Sequence, residues 1–157
     1  MGPTSVSGLQ QMRVKGPFQQ LTYQIIGAAM TVHNKFGPGL KESVYHHALA
    51  VELRHAELGY EEERSAEILL DGEWIGLLYL DLVVQESVVV EVKALPHMLT
   101  NEELAQVITY LGATGHRAGV LINFGRGRLE YRRVLPPRKL DAWRDRVRRY
   151  AWKPRKA

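Results

Sequence analysis

The chain has 157 residues, of which 45% are hydrophobic and 24% are charged, a composition typical of one folded domain. No apolar stretch approaches the roughly 20 residues that span a bilayer, and no basic stretch followed by an apolar one marks a secretory signal. The sequence has no cysteine, which excludes disulfide scaffolds, thiolate zinc sites and cysteine nucleophiles. We therefore expect a cytoplasmic protein without a membrane partner.

Basic and acidic residues are unevenly distributed along the chain, whose formal net charge is +4. Residues 126–157 contain 13 Lys and Arg and three acidic residues, whereas residues 1–125 contain 8 Lys and Arg and 14 acidic residues. A basic segment beside an acidic body indicates a polyanionic partner, with nucleic acid considered first and a membrane surface second. The alternative is a solvated basic segment that only keeps the protein soluble.

Two helices are predicted near the start of the chain, after a polar segment over residues 1–16. Apolar residues at helical spacing predict a first helix over residues 18–36, which Gly37 and Pro38 end. A second helix is predicted over residues 41–58. Its apolar side chains are expected to face the core: Val44, Leu49, Leu53 and Leu58.

Three strands are predicted next, over residues 61–70, 73–84 and 88–94. Residues 71–72 (Asp-Gly) form a tight-turn dipeptide, and residues 85–87 form a short polar connection. Because both connections are short, we expect an antiparallel meander.

One further helix and two strands complete the predicted domain. Thr100 and Glu103 have capping-box spacing at the start of a helix that extends to about residue 113. Residues 118–123 are almost entirely apolar, as in a strand that is buried on both faces. Residues 128–134 predict a more polar edge strand.

The predicted element order is α-α-β-β-β-α-β-β, followed by a basic C-terminal helix or tail. This order places the chain in the α/β class, with a mixed central sheet flanked by helices. We expect a flexible N-terminal tail over residues 1–16, a folded domain over residues 17–135, and a basic extension over residues 136–157. Within the extension, residues 139–150 predict a helix.

Three charged residues interrupt the apolar meander: Asp81, Glu91 and Lys93. Ionised groups in a buried strand are costly unless they are paired or bound to a metal. A three-residue loop centred on residue 86 places Asp81 directly opposite Glu91, with Cβ atoms roughly 5 Å apart. Two carboxylates without Cys or His partners favour a hard cation such as Mg²⁺ or Mn²⁺. The alternative is a salt bridge between Lys93 and one of the acids, which leaves the other acid without a partner.

Three motifs give the chain a family resemblance. Asp81, nine intervening residues and then Glu91-Val92-Lys93 resemble the motif of the PD-(D/E)XK nuclease superfamily, with Leu80 where proline is common. Residues 39–45 (GLKESVY) resemble the motif of the GxxExxY protein family, and residues 106–110 (QVITY) resemble the QxxxY motif of RecB-like nucleases. The resemblance covers about residues 18–135 and implies a restriction-endonuclease-like core.

The resemblance also implies roles for individual residues. Catalytic roles fall on Glu42, Asp81, Glu91, Lys93 and Gln106. A Mg²⁺ or Mn²⁺ ion would be held by Glu42, Asp81, Glu91 and the Val92 carbonyl. Tyr110 is expected to contact nucleic acid, and Tyr45 is expected either to brace the site or to contact DNA. Without the motif, Glu42 would be an ordinary acid at a helix N-terminus, and Gln106 and Tyr110 a packed aromatic residue with a polar neighbour.

Other polar residues carry less information. Arg126 and Arg128 lie in a Gly-rich turn, where they are expected at most to contact substrate phosphates. His46 and His47 lie near Glu42 in sequence, but neither occupies a motif position.

The resemblance implies a Mg²⁺- or Mn²⁺-dependent deoxyribonuclease, and the RecB-like motif favours an exonuclease acting on single-stranded DNA or free ends. The alternatives are a structure-specific or restriction-like endonuclease, and a non-catalytic nucleic-acid-binding module on the same fold. The basic extension would either contact DNA or pack Trp143 and Tyr150 onto the core or a second subunit, which would make a homo-oligomer.

Overall fold

The computed structural model describes residues 18–136 and 151–153. The predicted tail over residues 1–16 and the predicted helix over residues 139–150 lie outside the described residues. In the described part of the chain, no helix is both long enough and apolar enough to cross a membrane.

The described residues form three helices, and the sequence accounts for how two of them are capped. Their bounds are Gln19–Phe36 (α1), Glu42–His55 (α2) and Asn101–Thr114 (α3). Helix α1 is capped by Gly37, whose φ of 63° is in the left-handed region that favours glycine. Helix α3 begins with the predicted capping box, in which Thr100 and Glu103 each bond the other's backbone.

Within residues 18–136 and 151–153, six strands form one sheet in the order β5-β4-β3-β2-β1-β6. Strands β1, β2 and β3 form the predicted antiparallel meander, β3 pairs with β4 in parallel, and β5 is an edge strand next to β4. Strand β6 pairs with β1 at residues 65–67 and was not predicted, because a three-residue strand in a basic segment has no periodic pattern. The bounds are Tyr60–Leu70 (β1), Glu73–Val84 (β2), Val88–Lys93 (β3), Ala118–Asn123 (β4), Glu130–Val134 (β5) and Ala151–Lys153 (β6).

Helices cover both faces of the sheet and create two hydrophobic clusters. One cluster joins α1 and α2 to the sheet, and the other joins α3 to the opposite face. All six residues of β4 are buried, as predicted for a strand covered on both sides. The mixed α/β fold predicted from the sequence is therefore confirmed.

The second helix differs from the prediction in length and in phase. It ends at His55 rather than residue 58, because Glu57 takes a φ of 60° and the Leu58 amide closes back onto the Leu53 carbonyl. Val44 was expected to face the core but is 43% exposed. The buried stripe instead passes through Tyr45, Leu49 and Leu53, which are spaced four residues apart on one side of the helix.

Near the middle of strands β1 and β2, the regular alternation of side chains between the two faces of the sheet is interrupted. Leu82 and Val84 pack with α1 and α2, whereas Leu80 packs with α3, although alternation from Leu82 would keep Leu80 on the first side. The regular pairing passes from Glu62–Leu82 to Arg64–Leu80, and Glu63 between them has a φ of 52°. This irregularity places Asp81 where both helical layers can reach it.

Candidate active site

The predicted register between β2 and β3 is confirmed. The paired residues are Leu82 with Val90, Val83 with Val89 and Val84 with Val88, and the same register places Asp81 opposite Glu91. Here the acids replace backbone pairing with side-chain hydrogen bonds. The Asp81 amide donates to Glu91 Oε1 over 3.1 Å, and the Val92 amide donates to Asp81 Oδ2 over 2.7 Å. The two carboxylates are thereby fixed on facing strands.

Both carboxylates have perturbed acidities. Burial raises the pKa of Glu91 well above its ordinary value, and the neighbouring Asp81 carboxylate raises it further. Burial also raises the pKa of Asp81, although the Val92 amide and the Lys93 charge oppose the shift. Glu91 is only 4% exposed. A buried pair of like charges is unfavourable unless a cation or a proton compensates it.

Lys93 and two residues of α3 lie beside the acids. Lys93 Nζ donates to Gln106 Oε1 over 3.2 Å, so the polar end of the predicted QxxxY pair lies next to the lysine. Tyr110, one turn later on α3, is half-buried, and burial raises the pKa of its hydroxyl, with smaller contributions from the Glu91 and Asp81 charges. Both residues of the pair therefore face the acid cluster.

Glu42 lies in the helical layer opposite α3. It is the first residue of α2 and retains solvent exposure. Partial burial raises its pKa, Lys93 and His46 lower it, and Asp81 raises it. These influences place Glu42 within electrostatic range of the acid pair.

The donors suit a hard cation, but they do not form a closed site. Among the described residues, no three His, Asp or Glu side chains converge as a preformed metal site. The predicted ligand set of Glu42, Asp81, Glu91 and the Val92 carbonyl stays a prediction. Mg²⁺ commonly keeps several waters and uses only one or two protein carboxylates together with substrate phosphates. A buried Glu91 beside a half-buried Asp81 fits a cation held in that way.

Tyr45 occupies a structural position. Its side chain is fully buried and its ring stacks on Phe124, with ring centroids 4.7 Å apart. Its hydroxyl donates to the Gly37 carbonyl over 2.5 Å and accepts from the Leu40 amide over 3.1 Å. A side chain without exposed surface does not reach a substrate, so the expected DNA contact does not fit. Tyr45 instead braces the loop that precedes Glu42.

Arg126 and Arg128 lie on the loop between β4 and β5. Arg126 Nη1 lies 3.8 Å from Glu130 Oε1, and its backbone carbonyl bonds His33 Nε2 over 2.8 Å. Arg128 is exposed and lines a groove against α1 together with Met30. Their described contacts are with α1 and Glu130 rather than with the acid pair.

One residue close to Asp81 was missed by the sequence analysis. His46 Nδ1 lies 3.9 Å from Asp81 Oδ1, and His46 Nε2 bonds Glu62 Oε2 over 2.9 Å. The available signal was its position four residues after Glu42, which places both side chains on one face of α2.

A buried polar network supports the segment that follows Lys93. Asn123, which pairs with Lys93 across the parallel strands, accepts from the amides of Leu95 and Gly125 and donates to the His97 carbonyl. Glu130 accepts from the Leu99 amide and from Asn123. A Cβ on Gly125 would lie 2.3 Å from the Leu95 carbonyl oxygen, so the close crossing of the two segments requires glycine. The network ties the end of β3 to the start of α3.

Comparisons with known proteins agree with this geometry. A family model of the PD-(D/E)XK nuclease superfamily matches residues 19–134. A solved structure titled "Crystal structure of SSO0001" aligns with a TM-score of 0.52 at 18% identity, covering 64% of this chain. At this identity the likeness concerns the fold alone, and the alignment spans 53% of that chain. No curated protein sequence matches. With its fold and its facing carboxylates in place, the chain belongs to the PD-(D/E)XK nuclease superfamily.

Proposed function

We propose that the protein is a divalent-metal-dependent nuclease that hydrolyses DNA phosphodiester bonds. The observation that carries the proposal is the pairing of Asp81 and Glu91 on facing strands beside Lys93. Superfamily membership supports a nucleic-acid substrate and the use of a divalent metal.

Mg²⁺ or Mn²⁺ would be held by Asp81, Glu91 and the Val92 carbonyl, with Glu42 completing the set directly or through water. When bound, the cation supplies Lewis-acid polarisation of the phosphodiester and lowers the pKa of a bound water. The repulsion of the buried Glu91 carboxylate by Asp81 supports this assignment, because a bound cation would offset it.

Lys93 would orient the attacking water and stabilise negative charge that develops on the phosphate. A fixed positive group is most effective where charge forms in the transition state. The bond to Gln106 supports this role, because it limits the positions that the flexible lysine side chain can take. Gln106 itself would contact the substrate phosphate as Lys93 engages the reacting group.

We further propose that the enzyme belongs with the GxxExxY proteins and acts as an exonuclease on single-stranded DNA. The resemblance of residues 39–45 and 106–110 to the two motifs supports this mode. Tyr110 would contact the nucleic acid near the site, and Arg126 and Arg128 would contact phosphates farther along the strand. The basic residues of the extension over residues 136–157 would add sequence-independent affinity.

The direct test is incubation with end-labelled single-stranded and double-stranded DNA in Mg²⁺, Mn²⁺ or EDTA. We expect stepwise release of short products from single strands, and no cleavage in EDTA. Internal cleavage would identify an endonuclease. DNA binding without cleavage in either metal would identify a binding module, and cleavage that resists EDTA would contradict the proposed mechanism.

A matched pair of variants separates this activity from a contaminating nuclease. Glu91→Gln should abolish the cleavage, whereas Glu102→Gln on the exposed first turn of α3 should retain it. Equal cleavage by the two variants would show that the observed activity does not come from this site.

A further inference from the structure

His46 joins the acid pair to a residue outside every recognised motif. It lies on α2, Asp81 on β2 and Glu62 on β1, so the chain of contacts crosses three elements. His46 is only 8% exposed, so the surrounding protein restricts its ring. A ring held on several sides has a fixed orientation.

Glu62 determines that orientation. A carboxylate can only accept, so His46 Nε2 donates the proton in the 2.9 Å bond to Glu62 Oε2. The other ring nitrogen, Nδ1, then carries a lone pair and lies 3.9 Å from Asp81 Oδ1, too far for a hydrogen bond, so the ring restricts the Asp81 carboxylate by its bulk. Glu62 comes immediately before Glu63, the position with left-handed backbone where β1 changes face. The irregularity that brings Asp81 into reach therefore also brings Glu62 to His46.

Asp81 is consequently confined on two sides. Its Oδ2 accepts from the Val92 amide over 2.7 Å, and its Oδ1 faces the tethered ring. We propose that His46, held by Glu62, is a positioning residue that fixes the Asp81 carboxylate in the orientation needed for the divalent cation. This role rests on the proposed function, because the cation is the group that Asp81 is oriented to receive. Partners of metal-binding residues commonly change metal affinity or activity by about 10- to 100-fold when they are removed.

The test compares His46→Ala and Glu62→Ala with His47→Ala, which changes the adjacent exposed histidine. The first readout is Mn²⁺ affinity, measured by electron paramagnetic resonance without DNA. We expect His46→Ala and Glu62→Ala each to weaken Mn²⁺ binding by about 10-fold or more. Because both act through one ring, the double variant should be no weaker than His46→Ala alone. His47→Ala should bind as the wild type does.

The second readout needs no metal. The Val92 amide should lose protection from hydrogen exchange in metal-free His46→Ala, because the Asp81 carboxylate that accepts its proton is released to rotate. His47→Ala should leave Val92 protected. His46→Gln keeps a side-chain N–H for Glu62, so it serves as the folded variant if His46→Ala does not fold, with a smaller loss expected in both readouts.

Three results would contradict the positioning role of His46. Mn²⁺ affinity within about 2-fold of wild type and unchanged Val92 protection in His46→Ala would overturn the positioning role while leaving the proposed function intact. Additive losses in His46→Ala and Glu62→Ala would also overturn it, because the residues would then act separately. Wild-type protein that binds no Mn²⁺ would reject the proposed function together with this role, even if Val92 protection still changed.

Discussion

Two buried polar clusters lie within a few residues of each other and differ in how their charges are satisfied. In the network around Asn123 and Glu130, each described side chain meets backbone donors or acceptors that complement it. In the cluster of Asp81 and Glu91, two acids face each other. Burial raises the pKa of both, and the Asp81 charge raises the pKa of Glu91 further. The first cluster lowers the free energy of the fold, whereas the second costs free energy until a cation arrives.

The contrast indicates that the first cluster serves stability and the second serves function. A fully satisfied buried network rigidifies the segment that it holds, here the connection from Lys93 to α3. A pair of like charges destabilises the folded state, and such pairs are typical of functional sites. Substitutions in the two clusters should therefore have opposite signatures in activity and stability.

The largest expected effect is on cleavage by Asp81→Asn and Glu91→Gln. Both variants keep the size of the side chain and remove the negative charge that would hold the cation. Activity should fall by more than about 100-fold, since even outer partners of metal ligands account for about 10- to 100-fold. Folding measured by circular dichroism should be retained. Near-normal cleavage by either variant would remove that residue from the site.

Lys93→Ala should have the next largest effect. If Lys93 stabilises charge at the reacting phosphate, turnover at saturating DNA should fall by about 10²- to 10³-fold, with a much smaller change in DNA affinity. Lys35→Ala is the control, because Lys35 is an exposed lysine that pairs with Glu52 on α2. Proportional losses of binding and turnover would make Lys93 a simple phosphate contact.

Substitution in the network around Asn123 and Glu130 should lower the stability of the folded state. Asn123→Ala leaves the Leu95 and Gly125 amides without their described acceptor, so we expect the free energy of unfolding to fall by about 1–3 kcal/mol. Chemical denaturation measures the change, and Asn34→Ala on the exposed side of α1 is the control. An Asn123→Ala protein as stable as Asn34→Ala would contradict the role of this network.

The smallest expected effect is a difference in pH dependence. Glu91 has a folded-state pKa above its ordinary value of 4.5, so between these values the folded state binds more protons than the unfolded state. The Glu91 contribution to stability is therefore lost as pH rises above about 4.5. In EDTA, wild-type stability minus that of Glu91→Gln should decrease from pH 4.5 toward neutrality. A difference that stays constant or increases with pH would contradict the raised pKa.

Local patterns were sufficient to predict most of the fold. The three-residue loop before Val88 determined the register of β2 and β3, because pairing across a short connection leaves few alternatives. The capping box determined the start of α3 in the same local way. The phase of α2 was less accessible: both Val44 and Tyr45 are large and apolar, and only the packing of Tyr45 on Phe124 distinguishes them.

The residues of the candidate site also differ in whether the sequence could identify them. Asp81, Glu91 and Lys93 could be identified from the sequence because ionised residues are unusual in apolar strands. The contact of His46 with Glu62 depends on how α2 crosses β1, and on the local change of face at Glu63. The closing of the Asn123 network depends on the approach of Gly125 to Leu95. No spacing in the sequence encodes either tertiary arrangement.

The most direct test of the central claim is the effect of Mg²⁺ on thermal unfolding of the wild type and of Glu91→Gln. A cation that binds only the folded state raises its stability by about 2.7 kcal/mol at 100 times its Kd. We predict that the melting temperature of the wild type rises with Mg²⁺ concentration and that of Glu91→Gln does not, while Glu91→Gln is the more stable protein in EDTA. Equal responses of the two proteins to Mg²⁺ would contradict a cation site at Asp81 and Glu91.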